Sequence, residues 1–414
     1  MPSPSPSPPP SPTPTPSGAP AVQHVVIIIQ ENRSVDNLFN GFPGADTAQT
    51  GNTHDGRTVS LYPRSLATPG DANHYHMGWV TDWNSGGMNG FDLTAPTGQP
   101  ATYNYAYVPS TETAPYRTLA STYTFADHMF QSNTGPSFPA HLYLISGQSQ
   151  MAAANPTNPN GPVHPWGCDS PTGTTVRLMA ANGTLMPGPY PCFDYTTLAD
   201  EMDAAGISWR YYAPALGSKG DVWSAYDAIS HIRFGVDWNN VVSPETQILT
   251  DVSAGSLAQV TWVVPSRANS DHAGSDSSTG PQWVASVVNA IGASQFWNNT
   301  VIFITWDDWG GWYDHVDPQQ LDVMGLGFRV PLIVVSPFAK RGYVSHVQYE
   351  FGSILKFTEE RFGLPSLGTT DARADDLSDC FAFAQQTRRF VRLRTGLSPA
   401  FFLTQPKTAE APDY

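Results

Sequence analysis

The stretch HVVIIIQEN, residues 24–32, decides which fold this chain can adopt. Its first seven residues form a short apolar run rich in β-branched side chains, which is typical of a strand buried on both faces of a sheet. Two polar residues, Glu31 and Asn32, follow the run directly. Because ligands of open α/β sheets bind beyond the carboxyl ends of the strands, this stretch predicts a central strand with functional side chains at its end.

Four further runs share the apolar, β-branched character of the first and are predicted to be strands of the same sheet. They are ISWRYYAP (207–214), QVTWVVP (259–265), TVIFITW (300–306) and VPLIVVSP (330–337). Segments with the amphipathic spacing of helices alternate with them, at 197–206, 280–299 and 350–363. This alternation predicts an α/β fold with a mostly parallel central sheet covered by helices on both faces.

The polar residues at the predicted strand ends are mainly oxygen donors. Asp307 and Asp308 follow one strand, as Glu31 and Asn32 follow another. Oxygen ligands of this kind suit a hard or borderline divalent cation, which would also relieve the repulsion between adjacent carboxylates. Taken singly, Glu31 and Asp308 are better explained as helix caps or solvated loop charges. The predicted metal site therefore depends on their convergence at one sheet edge.

A second segment, QSNTGPSFPAHLYLISGQS (131–149), places Ser137 between two prolines at the start of an apolar, helix-compatible run. A hydroxyl at this position is typical of a helix N-cap. The N-terminus of a helix also favours anions, which would suit a nucleophile acting on a charged substrate. The residues alone leave both interpretations of Ser137 open.

Composition limits the classes of partner. The 414 residues suffice for one large α/β domain or two average ones. Only 13% of them are charged, and the formal net charge is −15. An acidic chain without clusters of Lys and Arg argues against nucleic acid as a partner. No apolar run approaches the length of a membrane span, so no transmembrane segment is predicted.

Residues 1–20 are rich in Pro, Ser and Thr and are predicted to form an extended linker. Such linkers usually follow an export signal or a lipid anchor, so we expect a secreted or cell-surface protein, although this chain shows no signal peptide. A single catalytic domain is predicted over 21–404, followed by a tail at 405–414. The regions 40–120 and 150–195, rich in Gly, Asn and Pro, are predicted to be loop-rich, cap-like insertions.

The three cysteines fit an exported protein. Cys168 and Cys192 lie in loop-like surroundings, and we predict that they form a disulfide across one surface excursion. Cys380 is left over and is predicted to be a small buried apolar residue.

Several ordered motifs between residues 22 and 392 resemble those of the phosphoesterase family, which contains bacterial acid phosphatases and non-specific phospholipases C. The motifs are ENRSVD (31–36), LFNG (38–41), GPSFPAHLYLISG (135–147), SDH (270–272), WDDWGGWYDHV (306–316), KRGYVSH (340–346) and SILKFTEERFGLP (353–365). The resemblance implies an alkaline-phosphatase-like α/β/α sandwich. It also implies metal-dependent hydrolysis of a small phosphate ester, or of a phospholipid at its headgroup, through a phosphoserine.

The resemblance implies that Ser137 is the nucleophile. Thr134 is the alternative if the loop is shifted, and Ser132 is a weaker one. A serine hydroxyl is a poor nucleophile at neutral pH and needs activation, for example by a metal ion.

The resemblance also implies one divalent ion, with calcium, magnesium, manganese and zinc left open. Its implied ligands are Glu31, Asn32, Ser137, Asp307 and Asp308. His272 is expected to be catalytic as a proton carrier, whereas His74, His141 and Asp271 are expected to contact the substrate. A cation and an imidazolium would offset the acidity of the protein, so activity is expected to be better at mildly acidic pH.

Some positions of the chain depart from the family pattern. The chain has Ala140-His141 where relatives often have Asn-Arg or Asn-His, and Trp309 where many have a histidine. His141 is therefore a candidate for the substrate contact, while Trp309 offers an apolar face in place of an imidazole.

Other functions are left open by the motifs. The segment Ser137–His141 superficially resembles a sulfatase signature, but the arginine of that signature is absent. A serine carboxyl-esterase is disfavoured because the chain has no G-x-S-x-G motif. An alternative of another class is a non-catalytic surface protein that binds carbohydrate or lipid through its aromatic loops.

Overall fold

The apolar run 24–30 is the strand β1 of an eight-stranded sheet in the computed structural model, which describes residues 22–218 and 220–405. The predicted linker at 1–20 lies outside the described residues. So does the predicted tail, apart from Gln405.

The central sheet is mostly parallel, as predicted. Its strands are, in spatial order, β11 (Val241–Val242), β10 (Trp209–Tyr212), β12 (Val260–Val263), β1 (His24–Gln30), β13 (Thr300–Trp306), β14 (Leu332–Val335), β6 (Thr124–Ala126) and β15 (Tyr343–Ser345). β1 pairs in parallel with β12 on one side and with β13 on the other. Only β14 runs against its two neighbours, β13 and β6. The predicted α/β fold with a mostly parallel sheet is therefore confirmed.

The antiparallel direction of β14 differs from the parallel direction that the run 330–337 predicts. The segment between β13 and β14 contains no helix, so the chain returns at the edge where β13 ends. Parallel neighbours would need a crossover connection. A strand buried on both faces is apolar in either direction, so its sequence carries no signal of its orientation.

The register of the sheet sets what lies at its edge. Gln30, the last residue of β1, is paired with Trp306, the last residue of β13. The next residues along the two strands, Glu31 and Asp307, therefore lie side by side. The apolar residues of β1 from Val25 to Ile29 are fully buried, which gives this edge a rigid base.

Eleven α-helices are present in the described part of the chain. They are α1 (Val35–Phe39), α2 (His76–Trp83), α3 (Ala114–Thr122), α4 (Ser137–Ser146), α5 (Leu198–Ala205), α6 (Ser230–Arg233), α7 (Gln247–Ser253), α8 (Gly280–Gly292), α9 (Phe351–Phe362), α10 (Thr370–Arg373) and α11 (Pro399–Thr404). Contacts group α4 with α5 and α9, and α8 with α3 and α7, as expected for two helical layers. None of these helices is both long and apolar enough to cross a bilayer.

The segments 40–120 and 150–195, predicted to be insertions, are rich in loops and contain three of the four short strand pairs described outside the central sheet. The pairs outside the central sheet are β2 (Thr50–Asn52) with β3 (Thr58–Ser60), β4 (Tyr62–Pro63) with β5 (Ala106–Tyr107), β7 (Met129–Phe130) with β16 (Tyr349–Glu350), and β8 (Leu178–Met179) with β9 (Leu185–Met186). Cys168 and Cys192 form the predicted disulfide within the second insertion. Cys380 is a free, buried thiol, as predicted.

Replacing Ile28 by alanine is expected to destabilise the protein strongly, because Ile28 is fully buried between Val263 and Ile304 of the neighbouring strands. The free energy of unfolding should fall by about 2–5 kcal/mol in chemical denaturation, as for other large-to-small core substitutions. Val391→Ala, at a side chain that is 73% exposed, is the control and should change it by less than about 0.5 kcal/mol. Equal effects of the two substitutions would contradict the central position of β1.

Candidate active site

Five oxygen-bearing side chains meet at the edge where β1 and β13 end, and we call them the oxygen cluster. They are Glu31, Asn32, Ser137, Asp307 and Asp308, and all are fully buried. The Asn32 backbone N–H donates to Asp307 Oδ1 at 2.9 Å, and Asn32 Nδ2 donates to both carboxylate oxygens of Asp308 at 3.1 and 3.2 Å. The Ser137 hydroxyl donates to Asp308 Oδ2 at 3.3 Å. The structure thus brings the hydroxyl of Ser137 to the predicted acidic residues.

The backbone of Asn32 is left-handed, with φ of 58°. Asparagine tolerates this conformation better than most residues. Gly310 is required beside it, because a Cβ on Gly310 would lie 2.2 Å from the Asn32 carbonyl oxygen. The Gly310 N–H also donates to Asp308 Oδ1 at 2.7 Å. The close approach of these two loops holds Asn32 and Asp308 in place.

Ser137 is the first residue of α4, and the N-cap position belongs to Pro136. The hydroxyl faces Asp308 instead of capping its own helix, which separates the two interpretations left open by the sequence. The first turn offers few free donors: Pro139 has no N–H, and the Phe138 N–H donates to Asn155 Oδ1 at 3.0 Å. Asn155 lies in a loop without periodicity, so the sequence carried no signal for this contact.

The two alternative nucleophiles are engaged elsewhere. The Thr134 hydroxyl is hydrogen-bonded to His76 Nδ1 at 2.9 Å. Ser132 Oγ accepts the backbone N–H of Phe351 at 2.9 Å. Among the described residues, only Ser137 of these three has a hydrogen bond to the oxygen cluster.

His141 lies one helical turn after Ser137 on α4 and also reaches the oxygen cluster. Its Nε2 is 3.0 Å from Glu31 Oε1 and 3.8 Å from Asp307 Oδ2. Burial lowers the pKa of His141 to about 4, against the opposing charge of Asp307, so the imidazole is neutral near pH 7. The sequence predicts a substrate contact for His141, but its position beside two carboxylates also suits a metal ligand.

The oxygen cluster fits a divalent cation. Asn32 Oδ1 and Asp307 Oδ2 are buried and accept no hydrogen bond from any described residue. No described lysine or arginine forms an ion pair with Asp307, whose one ionic neighbour is His141. Buried carboxylates in such surroundings need a cation or protons to offset their charge.

His74 and His272 form a buried pair beside the cluster. Their ring centroids are 5.8 Å apart in an edge-to-face arrangement. Trp309, which follows Asp308, contacts His74 edge-to-face at 6.4 Å. Gly311 lets the loop that carries His74 come close, since a Cβ there would lie 2.5 Å from Ala72 Cβ. Trp309 therefore links the oxygen cluster to His74, and His74 in turn contacts His272.

Asp71 joins the two imidazoles and was missed by the sequence analysis. Its carboxylate is 3.6 Å from His74 Nδ1, and a ligand atom from each of the three residues lies within 4.8 Å of the others. Its spacing of three residues from His74 was the one available signal.

The Asp271 carboxylate, for which a substrate contact is predicted, is hydrogen-bonded to Tyr116 and Trp306. Asp271 Oδ2 accepts the Tyr116 hydroxyl at 2.7 Å and the Trp306 indole N–H at 3.2 Å. Burial raises the pKa of Asp271 to about 6, against the hydrogen bond from Tyr116 and the charge of Arg33. This carboxylate serves an internal network, and a substrate contact for it stays a prediction.

The motif residues Asp314 and His315 belong to a separate ionic network around Arg329. Arg329 donates to both Asp314 oxygens, at 2.8 and 3.2 Å, and lies 3.7 Å from Asp36. His315 Nδ1 is 2.7 Å from Asp36 Oδ2. Burial opposes protonation of His315, but the hydrogen bond to Asp36 and the nearby charges raise its pKa to about 9. Because a buried guanidinium neutralises these acids, the network is better explained as structural than as a second metal site.

Comparisons with known proteins agree with the motifs. The model of the phosphoesterase family matches residues 22–365. The hemolytic phospholipase C of Pseudomonas aeruginosa is 27% identical over 431 residues, which cover 87% of this chain and 56% of that protein. Phospholipase C B of Mycobacterium tuberculosis is 26% identical over 437 residues, which cover 88% of this chain and 78% of that protein.

Similarity to solved structures is weaker. A protein in the alkaline phosphatase superfamily from Vibrio parahaemolyticus is 10% identical, with a TM-score of 0.42 over 87% of this chain and 74% of that chain. The chain spans only 56% and 57% of the length of the two Pseudomonas phospholipases C that it matches.

Arg329→Met is expected to lower the free energy of unfolding by about 3–5 kcal/mol, because it removes the guanidinium that pairs with the buried carboxylate of Asp314. In the variant, the pKa of Asp314 in the folded state lies above its unfolded value. The loss in free energy of unfolding is therefore present at neutral pH. It becomes smaller as the pH falls and Asp314 is protonated. Denaturation at a series of pH values measures both effects.

Arg57→Met is the matched control, since Arg57 pairs with Asp55 at the surface. This substitution should have little effect on the free energy of unfolding at any pH. A loss of stability in Arg329→Met that does not change with pH would argue against unpaired carboxylates as its cause.

Proposed function

The chain belongs to the phosphoesterase family, and from this premise we propose that it hydrolyses phosphate esters through a phosphoserine at Ser137. One observation carries the proposal: the Ser137 hydroxyl lies 3.3 Å from Asp308 within a buried set of acidic and amide side chains. A hydroxyl that merely caps a helix would face its own backbone. A hydroxyl among carboxylates is placed for activation and for attack on phosphorus.

We propose one divalent ion in the oxygen cluster. Its ligands would be the side chains that meet there, Glu31, Asn32, Ser137, Asp307 and Asp308, with His141 Nε2 adjacent. Bound there, the ion would lower the pKa of the serine hydroxyl and neutralise charge on the phosphoryl oxygens. The oxygen donors suit calcium, magnesium or manganese, and the neutral imidazole extends the range to zinc.

The residues divide the reaction into two displacements. Ser137 Oγ gives its proton to Asp308 Oδ2, the acceptor of its hydrogen bond, and forms a bond to phosphorus as the bond between phosphorus and the leaving-group oxygen breaks. Protonated His272 gives its proton to that oxygen, and His74 contacts the phosphoryl group. In the second displacement, neutral His272 takes a proton from water as the water oxygen attacks phosphorus. The bond to Ser137 breaks, and the serine oxygen takes its proton back from Asp308 as phosphate leaves.

Phosphomonoesters are the first candidate substrates, which corresponds to an acid-phosphatase-like activity. Phospholipid diesters are the second, and the names of the relatives, phospholipases C, favour them. Parallel assays with p-nitrophenyl phosphate and phosphatidylcholine separate the two classes. A protein that binds a lipid or carbohydrate surface and hydrolyses neither ester would be the non-catalytic alternative.

We also propose that the protein is exported. The disulfide between Cys168 and Cys192 supports an oxidising compartment, where such bonds persist. The Pro-rich composition of residues 1–20 supports a surface-associated or secreted protein.

Ser137→Ala is expected to lower kcat for p-nitrophenyl phosphate at least about a thousandfold, because no covalent intermediate can form. Acid quenching of the wild type during turnover, followed by mass spectrometry, should find phosphate on the peptide that contains Ser137. Thr134→Ala is the control and should keep most of the activity. If Thr134→Ala lost activity and Ser137→Ala kept it, Thr134 would be the nucleophile instead of Ser137.

Removal of metal by a chelator is expected to abolish hydrolysis and to lower the melting temperature, because the buried carboxylates then repel one another. Elemental analysis should find one divalent ion per chain in the wild type and none in Asp307→Asn. Asp55→Asn changes an exposed carboxylate outside the cluster and should keep the ion. Full activity in protein shown to be free of metal would contradict the metal role.

A further inference from the structure

A cavity of about 550 Å³ lies between the two loop-rich insertions. Tyr75 comes from the first insertion, and the other lining residues come from the segment 155–166 of the second. This volume is within the range of small-molecule sites, about 300–1,000 Å³. The oxygen cluster and the imidazole pair account for the phosphoryl end of a substrate, but they leave the rest of the ester without a binding site.

Three contacts place the cavity next to the nucleophile. The Tyr75 ring stacks on His74, with centroids 5.7 Å apart and planes 7° from parallel. The Trp166 ring packs edge-on against Phe138, the residue after Ser137, at 6.1 Å. Asn155 accepts the Phe138 backbone N–H at 3.0 Å. The walls of the cavity are therefore in contact with both the first turn of α4 and the imidazole pair.

The chemistry of the walls is neutral and largely apolar. None of the nine lining residues carries a charge, and the apolar surface comes from rings, prolines and Val163. Asn155 supplies a side-chain amide whose orientation is defined by its hydrogen bond to Phe138. Because its Oδ1 accepts a backbone N–H, its Nδ2 is the remaining donor, and this atom is buried without a partner among the described residues.

We propose that this cavity binds the leaving group of the ester and selects a neutral, mainly apolar alcohol. This inference rests on the proposed phosphoesterase function and names the substrate class of the same site. Burying a charged group in an uncharged cavity is unfavourable, whereas ring faces stabilise an apolar group. Asn155 Nδ2 can donate to an oxygen of the bound ester, and Tyr75 and Trp166 determine specificity through their rings.

The test compares two esters that differ in one charge, phenyl phosphate and 4-carboxyphenyl phosphate. The carboxyl-substituted phenol is intrinsically the slightly better leaving group, so a preference for phenyl phosphate must come from binding. We expect kcat/KM for phenyl phosphate to be higher by about tenfold or more. Thr157→Lys adds a cation to the exposed rim of the cavity and should reduce or reverse this preference. Thr118→Lys, on the exposed face of α3, is the matched control and should not change it.

Tyr75→Ala provides a second measurement at a half-buried position. It should raise KM for phenyl phosphate by about fivefold, because one ring face is lost. The inhibition constant of inorganic phosphate should rise by a smaller factor, since phosphate has no leaving group and Tyr75 is linked to it only through the stacked His74 ring. A general disturbance of the site would weaken the binding of inorganic phosphate by the same factor as the binding of phenyl phosphate. That result would count against the proposal.

Two kinds of alcohol share the required chemistry, aryl alcohols and acylglycerols. Dihexanoyl phosphatidylcholine and glycerophosphocholine have the same headgroup and differ only in the acyl chains. Faster hydrolysis of the acylated ester would identify acylglycerol as a leaving group that the cavity accepts. Hydrolysis of phenyl phosphate but of neither choline ester would identify the aryl class.

The failures of the two proposals are distinguishable. No hydrolysis of any of these esters by the metal-loaded protein would overturn the proposed function and this inference with it. Equal hydrolysis of phenyl and 4-carboxyphenyl phosphate, unchanged by Thr157→Lys and Tyr75→Ala, would overturn the leaving-group cavity alone.

Discussion

The parallel pairing of β1 with β13 is the constraint on which the rest of the site depends. Because Gln30 is paired with Trp306, the chain leaves both strands at the same height of one sheet edge. Glu31 and Asp307 then lie side by side, although 275 positions separate Asn32 from the same Asp307 that accepts its N–H. A shift of this register by one residue would turn the side chains of one strand to opposite faces and separate the acids.

Bringing these acids together costs free energy, and the surrounding loops offset part of it. Backbone N–H groups of Asn32 and Gly310 donate to the two aspartates, and the Asn32 amide donates to Asp308 again. Gly310 and Gly311 leave room for the two loops that carry Asn32 and His74. The oxygens that remain without partners, Asn32 Oδ1 and Asp307 Oδ2, are the ones that a cation would satisfy. The oxygen cluster is thus held in place by its hydrogen bonds, while its negative charge favours the binding of a cation.

Much of the fold and part of the site follow from local patterns. The runs 24–30 and 300–306 match β1 and β13 to the residue, because long buried strands are uniformly apolar. The short strands β6, β11 and β15 were not predicted, since two or three residues carry no usable periodicity. The direction of β14 could not be predicted, because a strand buried on both faces is apolar whichever way it runs. Among the site residues, those at strand ends could be predicted, whereas Asn155 and Asp71 lie in loops without pattern.

The sequence by itself determined the sheet, the acids at its edge and the family to which the chain belongs, since these depend on local composition and ordered motifs. Only the tertiary structure decided that the Ser137 hydroxyl faces Asp308, that His141 reaches Glu31 and that Asp271 turns towards Tyr116. It alone formed a neutral cavity from two distant loops. The physical reason is that side-chain direction and cavity walls arise from contacts between segments far apart in the chain, which no local pattern encodes.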